Sequence, residues 1–209
     1  MQNNKDAFFA ALEEYTNSGL QLGNILLNFC KLIQKSNKLY NLTSIIQTEE
    51  MLSKHILDSL SINYLIKGKN VLDIGSGAGL PGIPLAVINP DINFLLLDSN
   101  NKKIIFLNHV KINLNVNNID LVHARIEDFN NDVRFDTIIC RSYASLSKIY
   151  LNSKKHLKDR GIIIAMKGKE PYQELKELRE ISKDICVDVK SLNVPGLVAE
   201  RHAIIIYKK

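Results

Sequence analysis

The stretch Val71-Leu72-Asp73-Ile74-Gly75-Ser76-Gly77-Ala78-Gly79-Leu80-Pro81-Gly82 sets how the rest of the chain is read. Its first four residues have the apolar, branched character of a buried strand, and the segment after Gly82 continues as a helix. Between them lies a glycine-rich turn. Glycines there let the backbone take positive φ and let a ligand approach without a Cβ in the way. Asp98 follows 23 residues after Gly75, at the end of the next apolar run, Phe94 to Asp98. An acidic side chain at such a strand end can accept hydrogen bonds from both hydroxyls of a ribose.

Outward from that stretch, short runs rich in Ile, Leu and Val recur at 94–98, 119–124, 135–140 and 161–167. Helical stretches at 83–89, 101–115, 145–158 and 171–183 separate them. Apolar strands alternating with helices imply a mostly parallel sheet covered on both faces. Residues 185–194 and 201–209 are two more strand-like runs with only a turn region around Pro195-Gly196 between them, so they should pair antiparallel. Ahead of the core, 6–16, 20–39 and 48–60 read as amphipathic helices, with Leu20, Ile25 or Leu26, Phe29 and Ile33 on the apolar face of the second and Thr48 as N-cap of the third. The expected architecture is α/β, with seven strands, an antiparallel C-terminal hairpin and a helical N-terminal cap. Residues 1–66 form the cap and 67–209 the core, as one structural unit. The asparagine clusters at 115–118 and 130–131 read as solvated turns.

The glycine turn admits several functions. A phosphate-binding P-loop needs Lys-Ser/Thr after its last glycine, and Gly82-Ile83-Pro84 has neither. Gly77-Ala78-Gly79-Leu80-Pro81-Gly82 matches the G-x-G-x-x-G dinucleotide fingerprint, although that register starts two residues late after the strand. A third reading takes Asp73 with Gly75, Gly77 and Gly79, the pattern of class I (Rossmann-like) S-adenosylmethionine-dependent methyltransferases. That cofactor carries a free α-amino group and no pyrophosphate, which gives Asp73 an ammonium to hold, often through water. A purely structural glycine turn is the remaining alternative. Arg125-Ile126-Glu127-Asp128 follows the third strand, where class I enzymes commonly enclose the adenine; a solvated turn is the competing explanation.

Further segments match one family. Asn41-Leu42-Thr43 and His55-Ile56-Leu57-Asp58-Ser59 precede the core, and Leu-Pro-Gly-Ile-Pro (80–84) extends the glycine turn. Leu97-Asp98-Ser99 with Lys102-Lys103, Arg125 to Phe129, Arg141-Ser142-Tyr143-Ala144-Ser145-Leu146, and Met166-Lys167-Gly168 follow in order. Over about residues 40–168 the chain resembles the bacterial glucose-inhibited division protein B family, 16S ribosomal RNA guanine-N7 methyltransferases. Ser76, Ala78, Lys103 and Tyr143 stand where Thr, Pro, Arg and Phe are frequent, and none of these departures removes a needed group.

The resemblance implies S-adenosyl-L-methionine as cofactor and 16S ribosomal RNA, or the small ribosomal subunit, as partner, with N7 of guanine 527 in conventional numbering as acceptor. It implies cofactor contacts from Gly75, Leu80, Ile126, Glu127 and Arg141, with Asp98 on the ribose, and the glycine pattern adds Asp73, Gly77 and Gly79 to that site. Guanine N7 carries a lone pair and no proton, so no general base is needed, and the catalyst's work is alignment. No catalytic residue is therefore assigned; Arg141 and Lys167 are positioning candidates. Tyr143, Lys167 and Arg201 are candidates for the substrate, because guanine O6 attracts cations and an extruded base stacks on aromatic rings. His55 is expected to cap or bridge the helical lobe to the core, with a catalytic role as the alternative. A class I methyltransferase for a protein or small molecule is the alternative within enzymes. An NAD-dependent oxidoreductase and a non-catalytic RNA-binding protein are the rivals of other classes.

Composition bounds these readings. The 209 residues are 45% hydrophobic and 23% charged, which excludes a disordered chain. The net charge of +5 is uneven: residues 1–147 carry 13 Lys/Arg and 14 Asp/Glu, residues 148–209 carry 14 and 8. Lys154, Lys155, Lys158 and Arg160, with Lys167 and Lys169, are candidates to track an RNA backbone, against a merely solvated face. Cys30, Cys140 and Cys186 have no metal-site or dithiol spacing, so free thiols and no metal are expected. No run of 18 apolar residues occurs and no signal-peptide pattern is present; a cytoplasmic monomer that touches no membrane is the expectation.

Overall fold

The computed structural model describes residues 2–130 and 132–209, so Asn131 of the second asparagine cluster lies outside the described residues. Its sheet contains β1 (Asn70–Ile74), β2 (Asn93–Asp98), β3 (Ile119–His123), β4 (Phe135–Arg141), β5 (Leu157–Lys167), β6 (Ile185–Ser191) and β7 (His202–Lys208). The order is β3-β2-β1-β4-β5-β7-β6. Strands β1 to β5 run parallel, and β7 is antiparallel to both of its neighbours. The chain starts in the middle at β1, moves outward through β2 and β3, then returns to the other side of β1 for β4. That reversal opens a crevice at the carboxyl ends of β1 and β4, where ligands of open α/β sheets bind.

Period-2 alternation divides the strands' side chains between two apolar cores. Val71, Phe94, Leu96, Ile139, Ile162 and Ile164 face one side, together with Leu12, Phe29, Met51 and Ile62 of the N-terminal region. Leu72, Ile74, Leu97, Ile138, Cys140 and Ile163 face the other, covered by Leu146 and Ile149 of α7 (Leu146–Ser153) and Leu175 and Leu178 of α8 (Tyr172–Ile181). The first core is roofed by α2 (Gly19–Tyr40), α5 (Gly82–Ile88) and α6 (Asn101–Leu114), with α1 (Gln2–Leu12) packed on α2. Phe29 is fully buried there, a burial that contributes about 1.5–3 kcal/mol. Leu20 is exposed instead of sharing that face, because six residues before Leu26 is not a whole number of turns.

Two helix assignments are corrected. The stretch 48–60 is α3 (Thr48–Met51), a π-helical segment (Leu52–Leu57) and α4 (Asp58–Leu60). Gln47 flanks its start, so Thr48 is the first helical residue and not the cap; its hydroxyl accepts from Gln34 Nε2 at 3.0 Å. The stretch 145–158 is helical only to Ser153, then makes a 3-10 turn and enters β5 at Leu157. The remaining strands and helices lie within a few residues of the expected spans. Among the described residues, no helix is long and apolar enough to cross a membrane.

Candidate active site

Three adjoining cavities cross the carboxyl ends of β2, β1, β4 and β5 and the amino end of β7. The first, of about 280 Å³, is lined by residues including Gly75, Asp98, Arg125, Glu127, Ser142 and Tyr143. The second, about 190 Å³, holds Thr43, His55, Gly75, Gly77, Leu80, Arg141 and Ser142 in its wall. The third, about 330 Å³, includes Lys54, His55, Asp58, Arg141, Ser142, Lys167 and Arg201. Ser142 lines all three, and with Arg141 it marks the boundary between the part of the groove that holds Asp98 and Glu127 and the part that holds Lys54, Lys167 and Arg201. Ser142 has φ +52°, a left-handed conformation uncommon for a residue with a Cβ and often found at functional sites. Two larger hollows, about 450 and 420 Å³, lie away from the glycine turn and from Asp98.

The glycine turn is closed by its own hydrogen bonds. The amides of Gly75 and Ser76 donate to Leu97 O, that of Gly77 to Asp98 Oδ2, and those of Gly79 and Leu80 to Ser76 O. From Gly75 to Leu80 only the Ala78 amide is left without a protein acceptor among the described residues, so the turn offers no nest of free amides for a pyrophosphate. This removes the physical basis of the dinucleotide reading. Gly75, Gly77 and Gly79 all have positive φ, in keeping with the register that begins at Asp73. A Cβ on Gly75 would stand 2.7 Å from the Tyr143 ring, which packs over the turn. A Cβ on Gly82 would meet Asp73 Oδ2 at 2.6 Å, because that carboxylate accepts the Gly82 amide at 3.0 Å.

Asp98 ends β2 with each oxygen holding one amide: Oδ2 that of Gly77 and Oδ1 that of Asn100, both at 2.8 Å. Each oxygen retains a lone pair for a donor in the first cavity, which suits a ribose diol. Asp73 is fully buried and lines none of the three cavities. Its Oδ1 has no hydrogen-bond partner among the described residues, and burial pushes its carboxyl up to about 7. An unsatisfied carboxylate oxygen behind the turn suits an ammonium or a bridging water. Gly77 and Leu80 line the second cavity, whereas Gly79 faces Ile83 and Leu107 in the core. Ile126 is buried beneath the first cavity's rim, while Glu127 lines it and accepts from Asn152 Nδ2 at 2.7 Å.

On the other side, the cap reaches the strand ends through a relay of polar contacts. Asn37 Oδ1 accepts the amides of Leu42 and Thr43, and its Nδ2 donates to Thr43 O. Thr43 Oγ1, so placed, lies 2.8 Å from His55 Nε2. Burial first, and then the Arg141 charge, push the His55 imidazole down to about 4. Arg141 Nη1 donates to Asp58 Oδ2 at 3.0 Å and to Lys54 O at 3.1 Å. Arg201 Nε donates to Asp58 Oδ1 at 2.9 Å. Lys167, the last residue of β5, is held by Ala144 O and by both oxygens of Glu174.

The family described as rRNA small subunit methyltransferase G matches residues 23–205. The chain belongs to that family. It is 43% identical over 185 residues to the ribosomal RNA small subunit methyltransferase G of Legionella pneumophila (strain Corby), covering 88% of this chain and 86% of the relative. It is 46% identical over 180 residues to the protein of the same description from Nitrosococcus oceani, covering 86% and 83%. The fold is that of class I methyltransferases. The glycopeptide N-methyltransferase MtfA, crystallised with S-adenosyl-L-methionine, superposes with TM-score 0.61 at 11% identity over 73% of this chain and 94% of that one. The precorrin-6y C5,15-methyltransferase of Geobacter metallireducens gives 0.57 at 20%, over 72% and 88%.

In this methyltransferase fold the residues singled out from sequence fall into two groups. Gly75, Gly77, Leu80, Asp98, Glu127 and Tyr143 gather around the first two cavities; Lys167 and Arg201 flank the third; Arg141 touches both sets. Tyr143 thus stands apart from the other two substrate candidates. The lysine-rich stretch does not act as one patch. Lys158 and Arg160 belong to the start of β5 and Lys167 to its end, a separation that the paired stretch Phe135 to Arg141 of β4 sets at roughly 20 Å, at about 3.3 Å per residue. Lys158 pairs with Asp136, and Lys154 lies over the Tyr150 ring. Asp58 and Ser142 are the residues that sequence reasoning passed over. Both sit inside matched signature segments, but neither has a local pattern that announces its partner or its φ.

Proposed function

We propose that the protein transfers the methyl group of S-adenosylmethionine to N7 of guanine 527 in 16S ribosomal RNA. The observation that carries this reading is the groove divided at Arg141 and Ser142, with a ribose-accepting carboxylate on one side and a cationic cavity on the other. Asp98 would hold the ribose hydroxyls, Asp73 the amino-acid ammonium behind the turn, and Gly75, Gly77 and Leu80 the contact surface along the cofactor. Gly79 keeps that surface in shape from the core side. Ile126 and Glu127 would border the adenine. When bound, the cofactor supplies a sulfonium methyl that a ring nitrogen can take directly.

The protein's own part is alignment. Guanine N7 is already a nucleophile, so the groove needs donors for O6 and the flanking phosphates and no group that removes a proton. Lys54, Arg141, Lys167 and Arg201 surround the third cavity with Asp58 as its one carboxylate. His55 is neutral at working pH and bonded to Thr43, in keeping with a bridging role and not with base catalysis.

Nucleoside mass spectrometry of 16S RNA tests the reading. Deleting the gene should abolish 7-methylguanosine at that position, and the wild-type gene should restore it. Unchanged 7-methylguanosine in the deletion strain would overturn the RNA assignment and leave a class I methyltransferase for a protein or small molecule.

A further inference from the structure

The buried carboxylate of Asp58 joins three parts of the chain that are remote in sequence. It belongs to the helical cap, yet its two oxygens accept from Arg141 at the end of β4 and from Arg201 just before β7, 83 and 143 residues away. Asp58 is 3% exposed, whereas the two arginine side chains are 18% and 24% exposed on the cavity wall. Stability alone gives little reason for this triad. A buried carboxylate between two guanidinium groups is often no more stabilising than apolar residues of the same shape. Its definite effect is geometric.

Asp58 takes Arg201 Nε, and Glu200 O takes Nη1 at 2.8 Å, which leaves Nη2 of Arg201 without a protein acceptor among the described residues. Both protons of Arg141 Nη1 go to Asp58 and Lys54 O, and Nη2 lies 3.5 Å from His55 Nδ1, which fixes that guanidinium on the cavity wall. Two guanidinium groups of fixed orientation therefore border a space of about 330 Å³. Such groups recognise the acceptor edge of guanine, and O6 can take their remaining protons while N7 stays free. Asp58 lines this cavity and neither of the two beside the glycine turn.

We propose that Asp58 is a positioning residue for the methyl acceptor, fixing Arg141 and Arg201 on the wall of the cavity that receives the guanine base. The inference rests on the function proposed above and adds to it the place of the base and the group that builds that place. Asp58 acts through the arginines and touches neither base nor cofactor.

The test uses the full chain, small ribosomal subunits lacking the methyl group as substrate, and the variants Asp58→Asn and Arg201→Lys, singly and together. Asp58→Asn should lower kcat by about tenfold or more, with S-adenosylhomocysteine affinity by calorimetry within about threefold of wild type. RNA affinity should not weaken, because a negative charge has been removed and every cation kept. Arg201→Lys keeps its charge and loses the fork, so it should lose a similar factor. The double variant should match the worse single variant within about threefold, since both changes break one unit. Wild-type kcat in Asp58→Asn, losses that multiply in the double variant, or loss of homocysteine-cofactor binding together with turnover would each overturn the proposal. If Asp58→Asn does not fold, Arg201→Lys decides alone, and wild-type kcat in it is the overturning result. A wild-type protein that methylates no subunit RNA overturns the functional reading and this inference together; an active wild type with an indifferent Asp58→Asn overturns only the inference.

Discussion

Desolvation of its charged form keeps the Asp73 carboxyl near 7 even though the Gly82 amide donates to it. An ammonium brought to its free oxygen favours the carboxylate, so ligand binding must release a proton wherever Asp73 is protonated beforehand. Affinity for S-adenosylhomocysteine should then rise between pH 6 and 8, by up to about tenfold per pH unit below 7. Asp73→Asn should flatten that profile, and calorimetry in two buffers reads the proton directly. A wild-type affinity constant across this range would remove Asp73 from the site. His55 has the opposite sign. Its folded value, about 4, lies below the ordinary 6.5, so the unfolded chain takes up a proton first as pH falls. The stability it contributes is present above pH 6.5 and is lost toward pH 4, on the order of 2 kcal/mol by pH 5. Urea midpoints at pH 7 and 5 should differ less in His55→Gln than in wild type. Cys140, buried with its thiol pushed up to about 12, packs in the core and is no nucleophile.

At the scale of elements, the strand-turn-helix unit has its glycines for different reasons, which substitution can separate. Gly79 has φ +87°, and a Cβ there would stand 2.6 Å from Ile83 Cγ1 and 2.8 Å from Leu107 Cδ2. Gly77 has φ +58° with nothing nearer than Gly75 O at 3.7 Å. Gly77→Ala should cost about 1 kcal/mol, for backbone strain alone, and Gly79→Ala about 2 kcal/mol or more, for strain plus overpacking. Denaturant unfolding compares them, and equal costs would contradict the packing account. Strand positions were legible in the sequence because period 2 and branched side chains are local properties, as in Ile162-Ile163-Ile164, which alternates between the two cores. The helix at 48–60 was legible as a helix but not as one with a π segment. The wider turn at Leu52–Leu57 leads into Asp58, and its Lys54 and His55 line the third cavity, a placement set by contacts with β4 and the last loop. The overrun at 145–158 has a similar origin: Leu157 and Lys158 join β5 because Phe135 offers a strand edge.

Across the whole molecule, the charge asymmetry of the sequence does not map simply onto the groove. Its lining cations come from both portions: Lys54, Lys103, Arg125 and Arg141 from the first, Lys148, Lys167 and Arg201 from the second. The basic excess after residue 147 is partly spent at the far end of β5, where Lys158 and Arg160 sit. RNA affinity should therefore fall with salt, and replacing Lys148 and Lys167 by Gln should lower the log–log slope by about 0.7–0.9 per cation. The same change at Lys158 and Arg160 should leave the slope as it is. Filter binding over a salt series separates the two, and equal slopes for both pairs would mean that RNA contacts the far end as well.

Sequence by itself determined the strand-turn-helix at 71–82, the seven strands, the antiparallel close and the family. Each of these rests on residue types at short spacing, where backbone geometry depends on neighbours in the chain. Only the tertiary structure decided that Asp58 joins Arg141 and Arg201, that Asp73 keeps a bare oxygen behind the turn, and that Ser142 stands at the junction of three cavities. A buried charge takes the partners that topology brings to it. Its burial depends on elements 83 and 143 residues away, and no local pattern records them.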